Sequence, residues 1–352
     1  MKLVFLIGGA GFIGRHLIES LSLNNKVSKI VVVDTPEQIQ LVIDHKRFVN
    51  IERIVEFIGM DLSEESLSER FYEFQQLESK HEFRNLTAFE EIDIFHLASP
   101  VGVENHKQST FYKAMAINQN VFMFAKSVQA ASCSNNYFWY TSTSEVYGEI
   151  DYGQSNFRPP VKLDTFSSKN NFSGVRSDYI YQKVLGEHLF SQLNDYFTVR
   201  ILRPFNLVGL YQDPTKGVFK KFIGAILNNR EVTVNKDIRC YTKIQYFLEH
   251  VSKFLSRKSE DVVIDDIIAP WAFTSLTSEE LYLYLHNHIC KKYLKKAIPV
   301  NYKVNNLPTG EIQYRGIKET LSFSRFELEF GPTIEKIISM DHEGVIKDDP
   351  TK

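Results

Sequence analysis

The chain has 352 residues, 43% of them hydrophobic and 24% charged, with a formal net charge of -2. That length suits two domains, or one large α/β domain with a smaller lobe, and the near-neutral charge leaves no basic field for nucleic acid and no acidic tail. Three widely spaced cysteines (Cys133, Cys240, Cys290) with no CxxC argue against a disulfide framework or zinc ribbon and for a reducing compartment. No 18-residue apolar run exists, so no membrane span is expected.

In chain order, "KLVFLIG" (2–8) is a continuous apolar run, the pattern of a parallel strand buried on both faces, and too short for a signal peptide's core. "RHLIESLSLNN" (15–25) has helical spacing at Leu17, Ile18 and Leu21. "KIVVVD" (29–34), "IVEFIGMD" (54–61) and "IDIFHLAS" (92–99) read as further strands. The polar stretch 63–91 is long for one connection and predicts an extra helix. A long helix fits 110–132, a fifth strand 137–143, a helix 179–193 and a sixth strand 198–209 running into a loop. This alternation predicts a Rossmann-type α/β fold, a doubly wound parallel sheet. Beyond about 210 the pattern turns irregular. We therefore expect a Rossmann domain over 1–209 with a returning segment near 237–258, interleaved with a smaller, mostly C-terminal α/β lobe over 210–352.

"GGAGFIG" places Gly8, Gly11 and Gly14 between the first strand and its helix. The first glycine permits a sharp turn, the second lets a pyrophosphate approach N–H groups at a helix N-terminus, and the third permits close packing. Asp34 ends the next strand about 20 residues on, where a carboxylate binds a ribose 2′-OH and favours NAD over NADP. Asp61, after the third strand, is a candidate contact for the adenine. The bland alternatives are a tight turn for the glycines, a strand-end acid for Asp34 and a turn aspartate for Asp61. Tyr179 and Lys183, spaced i, i+4, share one helix face. A free tyrosine, with a pKa of about 10, is a poor base, but a neighbouring ammonium favours the phenolate. A hydroxyl at the end of the fifth strand, in "YTSTSEVYGE" (140–149), is expected beside that phenol.

Five stretches, "GGAGFIG", "HLAS" (96–99), "TSTSEVYG" (141–148), "YIYQK" (179–183) and "RPFNLVG" (203–209), occur in an order that resembles the extended short-chain dehydrogenase/reductase family. This is the family of NAD-dependent nucleotide-sugar epimerases, dehydratases and decarboxylases. The resemblance covers nearly all of 1–340. It implies a catalytic set of Thr143, Tyr179 and Lys183, with Tyr179 as base. It implies NAD contacts from Gly8, Gly11, Phe12, Ile13, Gly14, Asp34, Asp61, Leu62, Leu97, Ala98, Tyr179 and Lys183. It further implies substrate contacts from Thr143, Ser144, Asn206, Arg239 and Arg315, the two arginines clamping a diphosphate bidentately.

"Thr143-Ser144-Glu145" is similar to the triads of sugar 4,6-dehydratases and UDP-glucuronate decarboxylases, which makes Glu145 a fourth catalytic candidate. The alternative for Glu145 is a loop acid with no chemistry. In two places the chain departs from the family pattern: Leu210 stands where proline usually follows the glycine, and Gln245 and Tyr246 replace an acidic pair.

The resemblance implies C4 oxidation of a nucleotide-diphosphate sugar to a 4-keto intermediate, in a cleft between the NAD domain and the smaller lobe. Decarboxylation or dehydration stands slightly ahead of 4-epimerisation. The rival of another class is a non-catalytic dinucleotide sensor. A cytoplasmic homodimer serving polysaccharide synthesis is expected by analogy, with no metal, nucleic-acid or membrane partner. "HNHICKK" (286–292) puts His286 and Cys290 on one helix face and is read as structural rather than as a zinc site.

Overall fold

The computed structural model describes residues 1–48, 51, 54–76, 86–100, 108–132, 135–147, 177–213, 217–235, 238–255, 263–267, 274–305 and 323–342. Its described residues fall into two compact units. One takes in Met1–Val146, Pro160–Pro204 and Leu248–Ile267; the other takes in Tyr147–Pro159, Phe205–Phe247 and Ile268–Lys352.

In the first unit the strands are β1 (Lys2–Ile7), β2 (Val27–Asp34), β3 (Val55–Gly59), β4 (Glu91–His96), β5 (Asn135–Thr141) and β6 (Thr198–Pro204). The helices between them are α1 (Phe12–Ser22), α2 (Pro36–Ile43), α3 (Leu67–Gln76), α4 (Gln108–Ala131) and α5 (Ser177–Ser191). A late strand, β10 (Val263–Ile267), joins them to give a seven-stranded sheet in the order β10-β6-β5-β4-β1-β2-β3. Every pairing in it is parallel. The fold is the Rossmann-type doubly wound α/β arrangement expected of the alternating pattern. All six residues of β1 are buried, because it is a central strand covered on both faces. Strand order reverses between β1 and β4. Right-handed crossovers therefore send α1 and α2 to one face and α3, α4 and α5 to the other. Phe5 and Phe71 each meet the ring of Phe124 of α4 edge-on. The expected extra helix within 63–91 is α3. The helix α2 was not expected. Its signal is Thr35 at the N-cap with Pro36 at the first helical position, where the missing N–H has no partner to lose.

The second unit holds β7 (Asn206–Val208), β9 (Ile238–Lys243) and β11 (Thr274–Thr277) in a three-stranded sheet, order β11-β9-β7. It also holds the parallel pair β8 (Val232–Asn235) and β12 (Tyr302–Asn305). The expected single strand over 198–209 is thus two strands in two sheets, separated at Phe205. The stretch beyond 210 is also more regular than expected, with α6 (Val218–Leu227), α8 (Ser278–Ile289) and α9 (Phe323–His342) packed around Phe219, Phe222, Tyr282, Phe326 and Phe330. A capping box starts α8: the Glu280 N–H donates to Thr277 Oγ1 and the Thr277 N–H to Glu280 Oε2. The boundary between the units falls within α7 (Ile244–Phe254).

The first unit buries a neutral histidine. Burial, aided by the Arg47 guanidinium, lowers His16 on α1 to about 3. The unfolded chain therefore binds more protons than the folded one between about pH 6.5 and 3, and stability is lost as pH falls through that window. Relative to His16→Gln, the wild-type protein should lose ~2 kcal/mol of unfolding free energy between pH 7 and 5, at ~1.4 kcal/mol per pH unit below 6.5. Urea titrations of both proteins at the two pH values measure it; a constant difference would contradict a neutral His16.

Candidate functional site

The turn from β1 into α1 fits a dinucleotide. Gly8 has φ +79°, and a Cβ there would lie 2.4 Å from the Ala98 N. Only glycine tolerates both. A Cβ on Gly14 would lie 2.2 Å from the Gly9 carbonyl oxygen, so the helix start presses against the loop itself. No side chain caps the N-terminus of α1 at Gly11. Its first-turn N–H groups and dipole are thus presented as an anion would need them. Phe12 and Ile13 of that turn are half-buried, as are Leu97 and Ala98, whose N–H groups both donate to the Ile7 carbonyl at the switch point.

Asp34 ends β2 beside this turn. Its Oδ2 accepts from the Ala10 N–H and its Oδ1 from the Thr35 N–H, both at 2.9 Å. Burial holds its carboxyl above the ordinary carboxylate range, opposed by those two N–H groups and by Arg15. The carboxylate is fixed against the glycine turn, and each oxygen keeps capacity for a further donor such as a ribose hydroxyl. Asp61 closes a local turn: its Oδ1 accepts from the N–H and hydroxyl of Ser63, which hold it below the usual carboxylate range. Leu62 beside it is buried.

The hydroxyl run lies at the carboxyl end of β5, and Thr141, Ser142, Thr143 and Ser144 are all buried. The Ser142 N–H donates to the Leu202 carbonyl of β6, and a 3-10 turn over Ser144–Tyr147 follows. Thr143 Oγ1 accepts from the Glu145 N–H at 3.3 Å, so Thr143 and half-buried Glu145 are one local unit. Against this strand end α5 presents Tyr179 and Lys183. Lys183 is buried, and its Nζ donates to the Thr141 carbonyl at 2.8 Å. That Nζ lies 6.0 Å from the centroid of the half-buried Tyr179 ring and 5.3 Å from that of Tyr140. Burial lowers Lys183 to about 7, with Glu187 acting in the opposite direction. A lysine held there can support a phenolate as an ammonium and titrates near neutrality.

Asn118, Glu187 and Arg203 complete the arrangement, and none of the three is a site candidate from the sequence. Asn118 of α4 accepts from His96 Nε2 at 2.9 Å and is hydrogen-bonded to the Tyr140 hydroxyl. Burial lowers His96 to about 3, so it is a neutral donor to Asn118. Glu187 and Arg203 pair beneath the lysine. The available signal was spacing, since Glu187 follows Lys183 by four residues and Tyr179 by eight. Asn118 carried no such signal.

In the second unit, Asn206 pairs in register with Tyr241, two residues from Arg239 on β9. Side chains alternate along strands, so Asn206 and Arg239 lie on one face of the three-stranded sheet. Arg315 lies outside the described residues. Among the described residues no group of three His, Cys, Asp or Glu side chains is placed to hold a metal ion. No described helix is long and apolar enough to cross a membrane.

A doubly wound parallel sheet with a glycine-lined first turn, an acid ending β2 and a tyrosine–lysine helix against β5 is the arrangement of the extended short-chain dehydrogenase/reductase fold. The chain belongs to the NAD dependent epimerase/dehydratase family, whose model matches residues 4–244. Its cofactor is NAD. The chain is 29% identical to a dTDP-D-glucose 4,6-dehydratase of Dictyostelium discoideum over 73% of this chain and 56% of that one. It is 29% identical to UDP-glucuronic acid decarboxylase 6 of Arabidopsis thaliana over 66% and 59%. The matches thus span less than two thirds of these relatives. Among solved structures, dTDP-glucose 4,6-dehydratase from Streptomyces venezuelae superposes with a TM-score of 0.66 at 16% identity, covering 98% of this chain and all of that one.

Proposed function

We propose that the protein is an NAD-dependent enzyme that modifies a nucleotide-diphosphate sugar by way of a 4-keto intermediate, and that it releases carbon dioxide or water from that intermediate. The observation that carries this reading is the buried Lys183 fixed on the Thr141 carbonyl beside Tyr179, with Thr143 and Glu145 following on the same strand end. Bound NAD supplies the acceptor for the C4 hydride. Gly8, Gly11, Phe12, Ile13 and Gly14 would hold its diphosphate. Asp34 would hold the adenosine ribose, Asp61 and Leu62 the adenine, and Leu97, Ala98, Tyr179 and Lys183 the nicotinamide end.

Tyr179 takes the proton of the C4 hydroxyl. Thr143 shares that hydrogen bond and orients the sugar. The Lys183 ammonium favours the phenolate over the phenol. Once C4 is a ketone, the proton at C5 becomes acidic, and a carboxylate at C5 becomes a leaving group. Glu145 moves the proton or orients the departing group. Ser144, Asn206, Arg239 and Arg315 contact the substrate, the arginines at its diphosphate. The relatives named as a 4,6-dehydratase and a decarboxylase support this order of steps. Exposed Tyr112 and Met123 on α4, with Tyr181 and Leu185 on α5, support pairing with a second copy through these helices. A cytoplasmic role in making sugars for polysaccharide completes the proposal.

Product mass tests it. Purified protein incubated with UDP-, dTDP-, GDP- and CDP-sugars, uronic acids included, should yield a product lighter than its substrate by carbon dioxide or water. Glu145→Gln should form NADH and accumulate the 4-keto sugar without that loss. A product of unchanged mass and altered retention would instead make the enzyme a 4-epimerase. The absence of any product, with ligand binding retained, would favour a dinucleotide sensor.

A further inference from the structure

The first unit places a buried charge pair one helical turn beyond the lysine. Glu187 is fully buried. Its Oε1 accepts from Arg203 Nε at 2.9 Å and from the Ser142 hydroxyl at 2.5 Å, and its Oε2 accepts from Arg203 Nη2 at 2.5 Å. Arg203 sits on β6 and Ser142 on the end of β5, so the carboxylate ties α5 to two neighbouring strands. Glu187 follows Lys183 by one helical turn and lies on its face of α5.

Lys183 in turn holds the Thr141 carbonyl, one residue before Ser142. Thr141 and Ser142 are thus each anchored to α5, Thr141 through a cation and Ser142 through an anion. The residue they deliver is Thr143.

We propose that Glu187, clamped by Arg203 and Ser142, is a positioning residue that favours the charged form of the Lys183 side chain and locks the end of β5 that carries Thr143. The proposal rests on the role given above to Lys183. Other groups face the ammonium. Tyr179 lies on its own helix, Tyr140 on β5 and His96 on β4. Burial keeps His96 neutral and Tyr140 protonated, and Arg203 is paired. Glu187 is therefore the anion that offsets the cost of burying the ammonium. Its effect on Lys183 is opposite to that of burial, as the geometry requires.

The test reads the lysine directly and needs no substrate. With lysine carbon- and nitrogen-labelled at the side-chain end, the Lys183 resonance is identified by its loss in Lys183→Met and followed through a pH titration of the whole protein. In Glu187→Gln the midpoint should fall by about one unit or more. Glu187→Asp keeps the charge but shortens its reach, so its midpoint should fall less and in the same direction. It also serves if Glu187→Gln does not fold once Arg203 loses this carboxylate. A midpoint unchanged in the variants that fold overturns the proposal, whatever the enzyme's reaction proves to be. Because the product panel is a separate experiment, failure of the nucleotide-sugar reading would leave this titration interpretable.

Discussion

Tyr179→Phe is expected to lower kcat by about 10³-fold while leaving NAD binding within a few-fold of wild type. The change removes one oxygen and keeps the ring, so the packing of α5 on the end of β5 survives. Lys183 stays anchored on the Thr141 carbonyl, and the glycine turn with Asp34 lies on other elements. What disappears is the group proposed to accept the C4 hydroxyl proton. Thr143 cannot replace it, because a neutral hydroxyl can share the proton but does not hold it at neutral pH. Both kcat and kcat/KM should fall together, as they do when an interaction made in the transition state is lost. Single-turnover NADH formation on the substrate found by the product panel measures the first half-reaction alone. A loss of less than tenfold would place the base elsewhere. The wild-type rate should also decline on the basic side of neutrality, since burial brings the Lys183 ammonium down to about 7 and only its charged form favours the phenolate.

A comparably large loss is expected from a residue that touches no ligand. A Cβ at Gly186 would lie 2.1 Å from the Tyr140 hydroxyl oxygen, 2.5 Å from its Cζ and 3.0 Å from its Cε1. Tyr140 has nowhere to go: it is buried, bonded to Asn118 and flanked by the rings of His96 and Phe190. Gly186→Ala therefore has to push α5 off β5. Alanine improves helix propensity by up to ~1 kcal/mol, whereas overpacking a tight core costs ~1–3 kcal/mol, so the net change should be a modest loss of stability. The larger effect is on rate. The displaced helix carries Tyr179 and Lys183, and a shift of about 1 Å in reacting groups can cost about 10²-fold. Adding Tyr140→Phe should not restore activity, because the Cζ contact at 2.5 Å remains. Wild-type kcat with a normal melting temperature in Gly186→Ala would show that the helix is free to slide.

What could be read from the sequence follows from what hydropathy encodes. Strands β1, β2, β4, β5 and β6 have a neighbour on each side in a parallel sheet covered on both faces, so each is largely buried and rich in apolar residues, while β3 is the partly buried edge strand. The glycine turn, Asp34, and the Tyr179–Lys183 pair follow fixed spacings that local geometry enforces. The stretch 198–209 was read as one strand because its apolar run continues across Pro204 and Phe205, where the chain leaves one sheet for another. The helices α6 and α9 were missed for another reason. The α6 helix carries Gly224 in its interior, and α9 carries Gly331 and Pro332. Asn118, Ser142 and Arg203 act through contacts between elements far apart in sequence, which no local pattern encodes, and Glu187 has only its helical spacing from Lys183 as a signal. Sequence spacing identifies the groups proposed to meet the substrate, while the residues holding them emerge only from the packed sheet.

Strand β10 also has a bearing on how the polypeptide reaches its native state. It closes the flank of β6 with Arg200–Pro204 as its partners, yet it is synthesised some sixty residues later, after β7, β8, β9 and α6. Until it emerges from the ribosome, β6 has a row of open N–H and C=O groups, the template on which unfinished chains pair with one another. A fragment cut at residue 244, where the family match ends, keeps that template permanently. Such a fragment should be prone to aggregation even though it contains every residue of the proposed catalytic set.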